Sequence, residues 1–383
     1  MERAIMYNKH TPVLELEMKE RTVEKVVSCL DRDHLPIVLQ KKEKPTEKEL
    51  NDWIKGRGIR EKREGMLMVR QEFGEIPVDR CMFSLSDQYW FQYKKEETWD
   101  KLNFFTNPYS EDVGKAFFTP WELPRDHYFP PSPDTMTNGL LRKKWVRGRD
   151  GTSYLIKAGS KPLHQEPITE VLASIMLGKL HIIPYVKYEL IVDGLRLCSR
   201  CKNFVDEDTE FVPASHIFLS EPRKMNVTTH DHMLRMCKKY GVKGAAGYID
   251  RMIFVDHIIG NDDRHLGNFG FIRDVETAKI TGFAPLFDSG SSYGVINGQK
   301  GTSRYFEDRE KTAIRNLIGK IDLNKLRDHR EAYSLIDTYP EITREQKTIL
   351  KIFMEDMEKE MQEEAERRER GDHQSNLSHD ISR

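Results

Sequence analysis

No apolar run in the chain approaches the roughly twenty residues a membrane-crossing helix requires, and Glu2 and Arg3 charge a start that has no apolar leader segment. Neither a membrane span nor a secretory signal is therefore expected. Cysteine is scarce: five residues, an odd number with no framework spacing, exclude a disulfide scaffold and point to a reducing, cytoplasmic compartment. Cys198 and Cys201 form a C-x-x-C, but Cys29, Cys81 and Cys237 are scattered, so the four ligands of a zinc site are not assembled. Neither G-x-G-x-x-G nor a Walker A sequence occurs, and no internal repeat is evident. A formal net charge of −1 gives no global nucleic-acid footprint, although it leaves room for a local basic patch. What remains is 383 residues with 38% hydrophobic content, enough for two or three domains with real cores.

Within that chain, Asn261-Asp262-Asp263-Arg264-His265-Leu266-Gly267-Asn268, with Phe287-Asp288-Ser289-Gly290 further on, supplies three oxygen-bearing side chains suited to phosphoryl transfer. That reaction needs oxygen ligands for magnesium and a carboxylate aimed at the attacking hydroxyl. The interval from Asp263 to Asn268 is the one that separates base and metal ligand in protein-kinase catalytic loops. Tyr248, Ile249, Met252, Ile253, Val255, Ile258 and Ile259 recur at helical spacing, so a buried helix should precede the loop. Phe269–Ile272 and Ile280–Phe287 read as two short strands after it. A lone D-x-x-x-x-N is weak, because Asp and Asn commonly cap helices and make turns. His265 beside it and the later aspartate raise its weight. His265 itself reads as a neutral packing and hydrogen-bonding residue that orients the loop.

At these residues the chain resembles the HipA-like Ser/Thr kinases, whose catalytic segment runs N-x-D-x-H-x-x-N with a later metal-binding Asp. More distantly it is similar to the phosphatidylinositol kinases, with their D-R-H-x-x-N loop. The resemblance, followed from about residue 130 to 340, implies an α+β, bilobal protein-kinase-like fold with an antiparallel-sheet N-lobe and a mainly helical C-lobe. It also implies ATP and Mg2+ as cofactors, Asp263 as the catalytic aspartate, and Asn268 and Asp288 as metal ligands.

Such a fold needs a lysine on an N-lobe strand for the α- and β-phosphates. Lys157 lies in Ser153–Lys157, after the hairpin signal Gly148-Arg149-Asp150-Gly151. Glu166 and Glu170 open the next helix, through Val171, Leu172, Ile175 and Met176, with Pro167 in its first turn. Glu170 resembles the helix glutamate that pairs with the lysine, and Glu166 complements the helix N-terminus. Thr137–Lys143, with Gly139 and Lys143, resembles the family's glycine-plus-lysine phosphate loop, yet Asn138-Gly139 reads equally as an ordinary turn. Arg142, Lys144, Arg147 and Arg149 around it could attract phosphate or simply solvate a strand. Cys198–Val205, including Cys201 and Asn203, follows a strand from Tyr185 to Val192 and resembles an adenine-contacting hinge.

The expected domains are an N-terminal α+β module (1–125), a kinase-like N-lobe (126–205), a C-lobe (206–370) and a disordered tail (371–383). The module should hold a β-like run at Thr11–Leu16, a helix around Val23–Leu30, and a charged stretch from Lys41 to Arg63. Its aromatics, Phe83, Tyr89, Trp90, Phe91, Tyr93, Trp99, Phe104 and Phe105, read as a small core rather than a ligand platform. Asp134 with Pro130, Pro131 and Pro133 reads as a linker. The Gly- and Ser-rich Ser289–Ser303 loop reads as a mobile substrate-facing segment, with Arg304–Leu317 as a wall beside it. Ile349, Ile352, Phe353, Met357 and Met361 give one packed face to a charged helix over Arg344–Arg370. The functional expectation is an ATP- and Mg-dependent kinase acting on Ser/Thr of a protein, with a partner protein at the N-terminal module and no membrane. The alternatives are a lipid or small-molecule kinase and a non-catalytic nucleotide-binding regulator.

Overall fold

Thr22, Val23, Val26 and Val27 are β-branched, and the segment Thr22–Cys29 is accordingly a strand, not the helix that its apolar spacing suggested. Val23 and Val26 are buried and their neighbours exposed, a period that a sheet edge accepts. The computed structural model describes residues 1–294 and 305–380, with side chains through 370. The expected tail at 371–383 and residues 295–303 of the expected mobile loop lie outside the residues described to that level.

The strands are β1 (Glu2–Asn8), β2 (Thr11–Lys19), β3 (Thr22–Cys29), β4 (Tyr89–Gln92), β5 (Lys143–Arg147), β6 (Ser153–Ala158), β7 (Tyr188–Asp193), β8 (Arg196–Lys202), β9 (Thr209–Pro213), β10 (Gly270–Asp274) and β11 (Ile280–Phe283). The helices are α1 (Glu47–Arg57), α2 (Met66–Phe73), α3 (Trp99–Leu102), α4 (Asp112–Phe118), α5 (Glu166–Leu180), α6 (Ala214–Phe218), α7 (Thr229–Lys239), α8 (Ala245–Ile259), α9 (Glu307–Ile318), α10 (Asn324–Arg327), α11 (Arg330–Thr338) and α12 (Arg344–Asp380). They form two compact units. The first comprises Met1–Ser160, Glu189–Lys243 and Phe269–Ala284, the second Lys161–Tyr188, Gly244–Asn268 and Pro285–Arg383.

The first unit is sheet-rich, with strand orders β3-β2-β1-β4, β5-β6-β8-β7 and β11-β10-β9. The pairings given for these sheets are antiparallel. The hairpin expected at Gly148–Gly151 is present, joining β5 to β6 with Gly151 at φ +78. The aromatic stretch is core as expected: Phe83, Tyr89, Trp90, Phe91, Trp99 and Phe104 are buried, and Phe83 stacks on Trp90 with centroids 5.2 Å apart. The Pro-rich segment read as a linker leaves Pro131 exposed but is packed inside from Ser132 to Thr137. Asp134 is 1% exposed and accepts the Trp145 N–H at 2.8 Å, and burial pushes its carboxyl up to about 7. Three of the four basic residues around the loop are engaged within the fold, while Arg149 is exposed. Arg142 donates to the Phe117 carbonyl, Lys144 pairs with Asp193 at 2.7 Å, and Arg147 donates to the Phe104, Phe105 and Asn107 carbonyls. Gly114 permits this, because a Cβ there would lie 2.5 Å from the Lys144 Cβ.

The second unit is helical. α8 packs on α9 and α5, and α12 on α9 and α11. His257 on α8 joins the three-helix seam through Glu310 of α9 at 2.9 Å and Glu360 of α12 at 3.1 Å. On α12, Phe353, Met357 and Met361 are buried as expected, whereas Ile349 and Ile352 are exposed, and Leu350 and Met354 fill the face in their place. Among the described residues no helix is long and apolar enough to cross a membrane.

Candidate active site

The catalytic-loop region is built outward from the end of α8. Its cap, Gly260, takes φ +61, and a Cβ there would meet the Phe353 ring at 2.4 Å, so the chain leaves the helix through the one residue type that fits. Asp256, in the last turn and 1% exposed, then organises the loop beyond the cap. It accepts from Asn261 Nδ2 at 2.9 Å, and Asn261 Oδ1 in turn accepts the Asp263 N–H at 3.2 Å. Arg264, fully buried, donates Nε and Nη2 to the same carboxylate, both at 3.0 Å. Its Nη1 donates to the carbonyls of Asn268, at 2.7 Å, and Phe287, while Nη2 also reaches Ser289 Oγ at 3.2 Å. Burial alone would lower this guanidinium, but the Asp256 carboxylate, helped by Asp288, holds it above its ordinary value. One side chain therefore fastens the Asp263–Asn268 loop to the residues flanking Asp288.

Within the loop, Asn268 Nδ2 donates to the Asp263 carbonyl at 2.9 Å, and the Asn268 N–H to the His265 carbonyl at 2.9 Å. The amide oxygen is thereby oriented and accepts no hydrogen bond among the described residues. His265 hydrogen-bonds as expected, its Nδ1 accepting the Gly267 N–H at 2.9 Å, but it is exposed rather than packed. Asp288 sits at φ +59, a left-handed conformation rare outside glycine, with its N–H donated to the Tyr188 hydroxyl at 3.3 Å. Beyond it, the Gly290 carbonyl accepts from Thr169 Oγ1 of α5 at 2.5 Å, and a Cβ on Gly290 would press on Glu166 at 3.1 Å and Glu170 at 3.6 Å. Glu170 is 1% exposed, and Glu166 opens the first turn of α5 as expected. Asp263, Asn268, Asp288 and Glu170 thus share the second unit, and these bonds connect their segments.

Lys157, Gly139, Lys143, Cys201 and Asn203 lie in the first unit. Lys157 is the next-to-last residue of β6, opposite Lys143 on β5 and Ser199 on β8, and is 4% exposed. Gly139, at φ +121, leaves a space occupied by the Lys143 side chain, and its N–H donates to Asn138 Oδ1 at 2.6 Å. Cys201 is paired with Leu155 in the β6–β8 ladder. Asn203 donates its N–H to the Ser153 carbonyl and its Nδ2 to the Leu85 carbonyl, both at 2.9 Å, so those two groups are engaged within the fold. The strand before this segment begins at Tyr188 rather than Tyr185, which makes an isolated parallel bridge to Leu286.

Asn268 Oδ1 and the Asp288 carboxylate are hard oxygen donors, the type magnesium takes, and that ion ordinarily completes its shell with phosphate oxygens and water. The donor set fits such an ion. Among the described residues no group of three or more His, Cys, Asp or Glu is placed to hold a metal. Arg264, Asp256, Thr169 and Tyr188 were not singled out from the sequence. Arg264 was visible beside Asp263, but a charged residue in a polar loop reads as solvated until its burial is known.

No family model matches the chain, and no curated protein sequence matches it. Among solved structures, it is similar to HipA of the Shewanella oneidensis MR-1 toxin–antitoxin system, solved with HipB and operator DNA. The TM-score is 0.55 at 11% identity, over 94% of this chain and 97% of that one. It is also similar to the Helicobacter pylori proinflammatory kinase CtkA, with a TM-score of 0.45 at 17% identity, over 59% of this chain and 94% of that one. Taken with the antiparallel sheets of the first unit and the helices of the second, the likeness to HipA shows that this chain has an α+β, kinase-like fold of the HipA type.

Proposed function

We propose that the protein is an ATP- and Mg2+-dependent phosphotransferase of HipA-like type that phosphorylates Ser or Thr of a protein. The observation that carries the reading is the Arg264 clamp, which joins the Asn268 carbonyl to the Phe287 carbonyl and so brings both proposed metal donors into one hydrogen-bonded assembly. Asn268 and Asp288 would hold magnesium, which supplies charge neutralisation at the phosphates. Lys157 would hold the α- and β-phosphates and Glu170 would take the role of the helix glutamate, while Gly139 and Lys143 would serve the phosphate loop and Cys201 and Asn203 the adenine end. Asp263 orients the acceptor hydroxyl and takes its proton as the acceptor oxygen bonds to the γ-phosphorus and the bond to ADP breaks.

Incubation of the pure chain with labelled ATP and Mg2+, alone and with cell extract, tests this. Labelled Ser or Thr is expected, with transfer reduced at least about 100-fold in Asp263→Ala while nucleotide binding persists. Label in lipid or a small molecule alone would redirect the substrate. No transfer, or transfer undiminished in Asp263→Ala, would overturn the reading. HipA was solved with HipB and operator DNA. A protein partner at the N-terminal residues is part of the same proposal, checked by co-purification.

A further inference from the structure

One N-terminal segment, Gly56–Glu64, runs along the Thr135–Leu140 stretch and bonds to it through Gly56, Ile59, Arg60, Arg63 and Glu64. The Ile59 N–H donates to the Thr135 carbonyl at 3.3 Å, and the Glu64 N–H to the Leu140 carbonyl at 2.7 Å. Arg63 donates Nε to the Gly139 carbonyl at 3.2 Å and Nη2 to the Thr137 carbonyl. Arg60 Nε donates to Asn138 Oδ1 at 2.6 Å, and Asn138 Nδ2 donates back to the Gly56 carbonyl at 2.6 Å. Arg63 is 2% exposed and lies over the Phe117 ring, 5.7 Å from its centroid, so it is fixed rather than solvated.

These bonds have a directional consequence. In a trans peptide the carbonyl of one residue and the N–H of the next point opposite ways. With the Thr137, Gly139 and Leu140 carbonyls all turned to the N-terminal segment, the N–H groups of Asn138, Leu140 and Leu141 are turned away from it. None of those three N–H groups has a hydrogen-bond partner among the described residues. Outward N–H groups clustered on a short loop suit an anion such as a phosphate.

We propose that Gly56–Glu64 is a brace that sets the conformation of the phosphate loop, with Arg63 as its positioning residue, so that nucleotide affinity depends on N-terminal residues that do not touch nucleotide. This rests on the phosphotransferase reading for the identity of the anion, but not for the brace itself.

The test compares the wild-type chain with Arg63→Lys, which keeps the charge and loses the forked geometry, and with Arg60→Ala, at an exposed residue outside the core. Amide exchange should speed up about tenfold or more in Arg63→Lys at Ile59 and Glu64, whose N–H groups bond to the Thr135 and Leu140 carbonyls, with the rest of the chain unchanged. The KM for ATP should rise about tenfold with kcat within about twofold, and Arg60→Ala should do the same more weakly. Unchanged exchange at these two amides, or altered exchange with unchanged KM, would overturn the proposal. A wild-type chain that binds no ATP would defeat the phosphotransferase reading, and exchange at Ile59 and Glu64 alone would then decide whether the brace exists.

Discussion

Two buried arginines hold the two loops on which the functional reading depends, and they are buried on different terms. Arg264 carries a counter-charge with it: Asp256 meets it side-on and holds the guanidinium above its ordinary value against the cost of burial. Arg63 is buried among carbonyls, with Asp134 as its charged neighbour but no ion pair among the described residues, and burial pushes its guanidinium down to about 10. The first loop is thus locked by a self-sufficient polar unit. The second is held by a cation whose desolvation is offset mainly by carbonyl dipoles, so the same kind of residue gives a rigid support in one place and a softer one in the other.

Breaking the first support should have the largest effect. Arg264→Met leaves Asp256 buried without its partner and is expected to destabilise the chain by about 3–5 kcal/mol and abolish transfer. Adding Asp256→Leu should recover much of the stability but not the activity, and denaturant melts with an activity assay would show the split. Arg63→Met should cost less, about 1–3 kcal/mol, since it strands carbonyls rather than a charge. If the two single variants lost equal stability in parallel urea titrations, the contrast between the two arginines would fail.

A pH series separates the helical seam from both loops. Burial opposes the charge on His257, but the hydrogen bonds to Glu310 and Glu360 outweigh it and raise its pKa to about 9. Because the folded value lies above the unfolded one, near 6.5, its contribution is fully present below pH ~6.5 and is lost as pH rises through about 9. It should amount to on the order of 1–3 kcal/mol, with one partner, Glu360, being partly exposed. His257→Gln should flatten that part of the stability–pH curve. The smallest expected effect is at α1, where Thr46 and Glu49 form a reciprocal capping box. Thr46→Ala should lower stability by about 1 kcal/mol and leave ATP kinetics untouched.

The difference between the loops also marks what could be read from the sequence. The buried helix before Asp263, the strands after it and the β5–β6 hairpin were legible because each follows from local periodicity or turn chemistry. The Val23–Cys29 segment was misread because short apolar spacing suits either helix or strand, and pairing with β2 decides the matter. Arg264 and Asp256 were not legible because burial, which no local pattern shows, makes them a pair, and the Gly56–Glu64 brace was not legible because its partners lie far along the chain. Arg63, for example, lies 74 and 76 positions from the carbonyls that it holds. The Pro-rich segment at Pro130–Asp134 carried a linker composition, yet Asp134, accepting the Trp145 amide, is buried with Ser132 and Pro133 beside it.

The most direct test is calorimetric titration of the full chain with ATP in the presence and absence of Mg2+, repeated with Asn268→Ala and Asp288→Ala. The account predicts that Mg2+ tightens ATP binding to the wild-type chain about tenfold or more, and that this gain is lost in both variants. Equal affinity with and without the ion in the wild type, or a gain that survives Asp288→Ala, would contradict it.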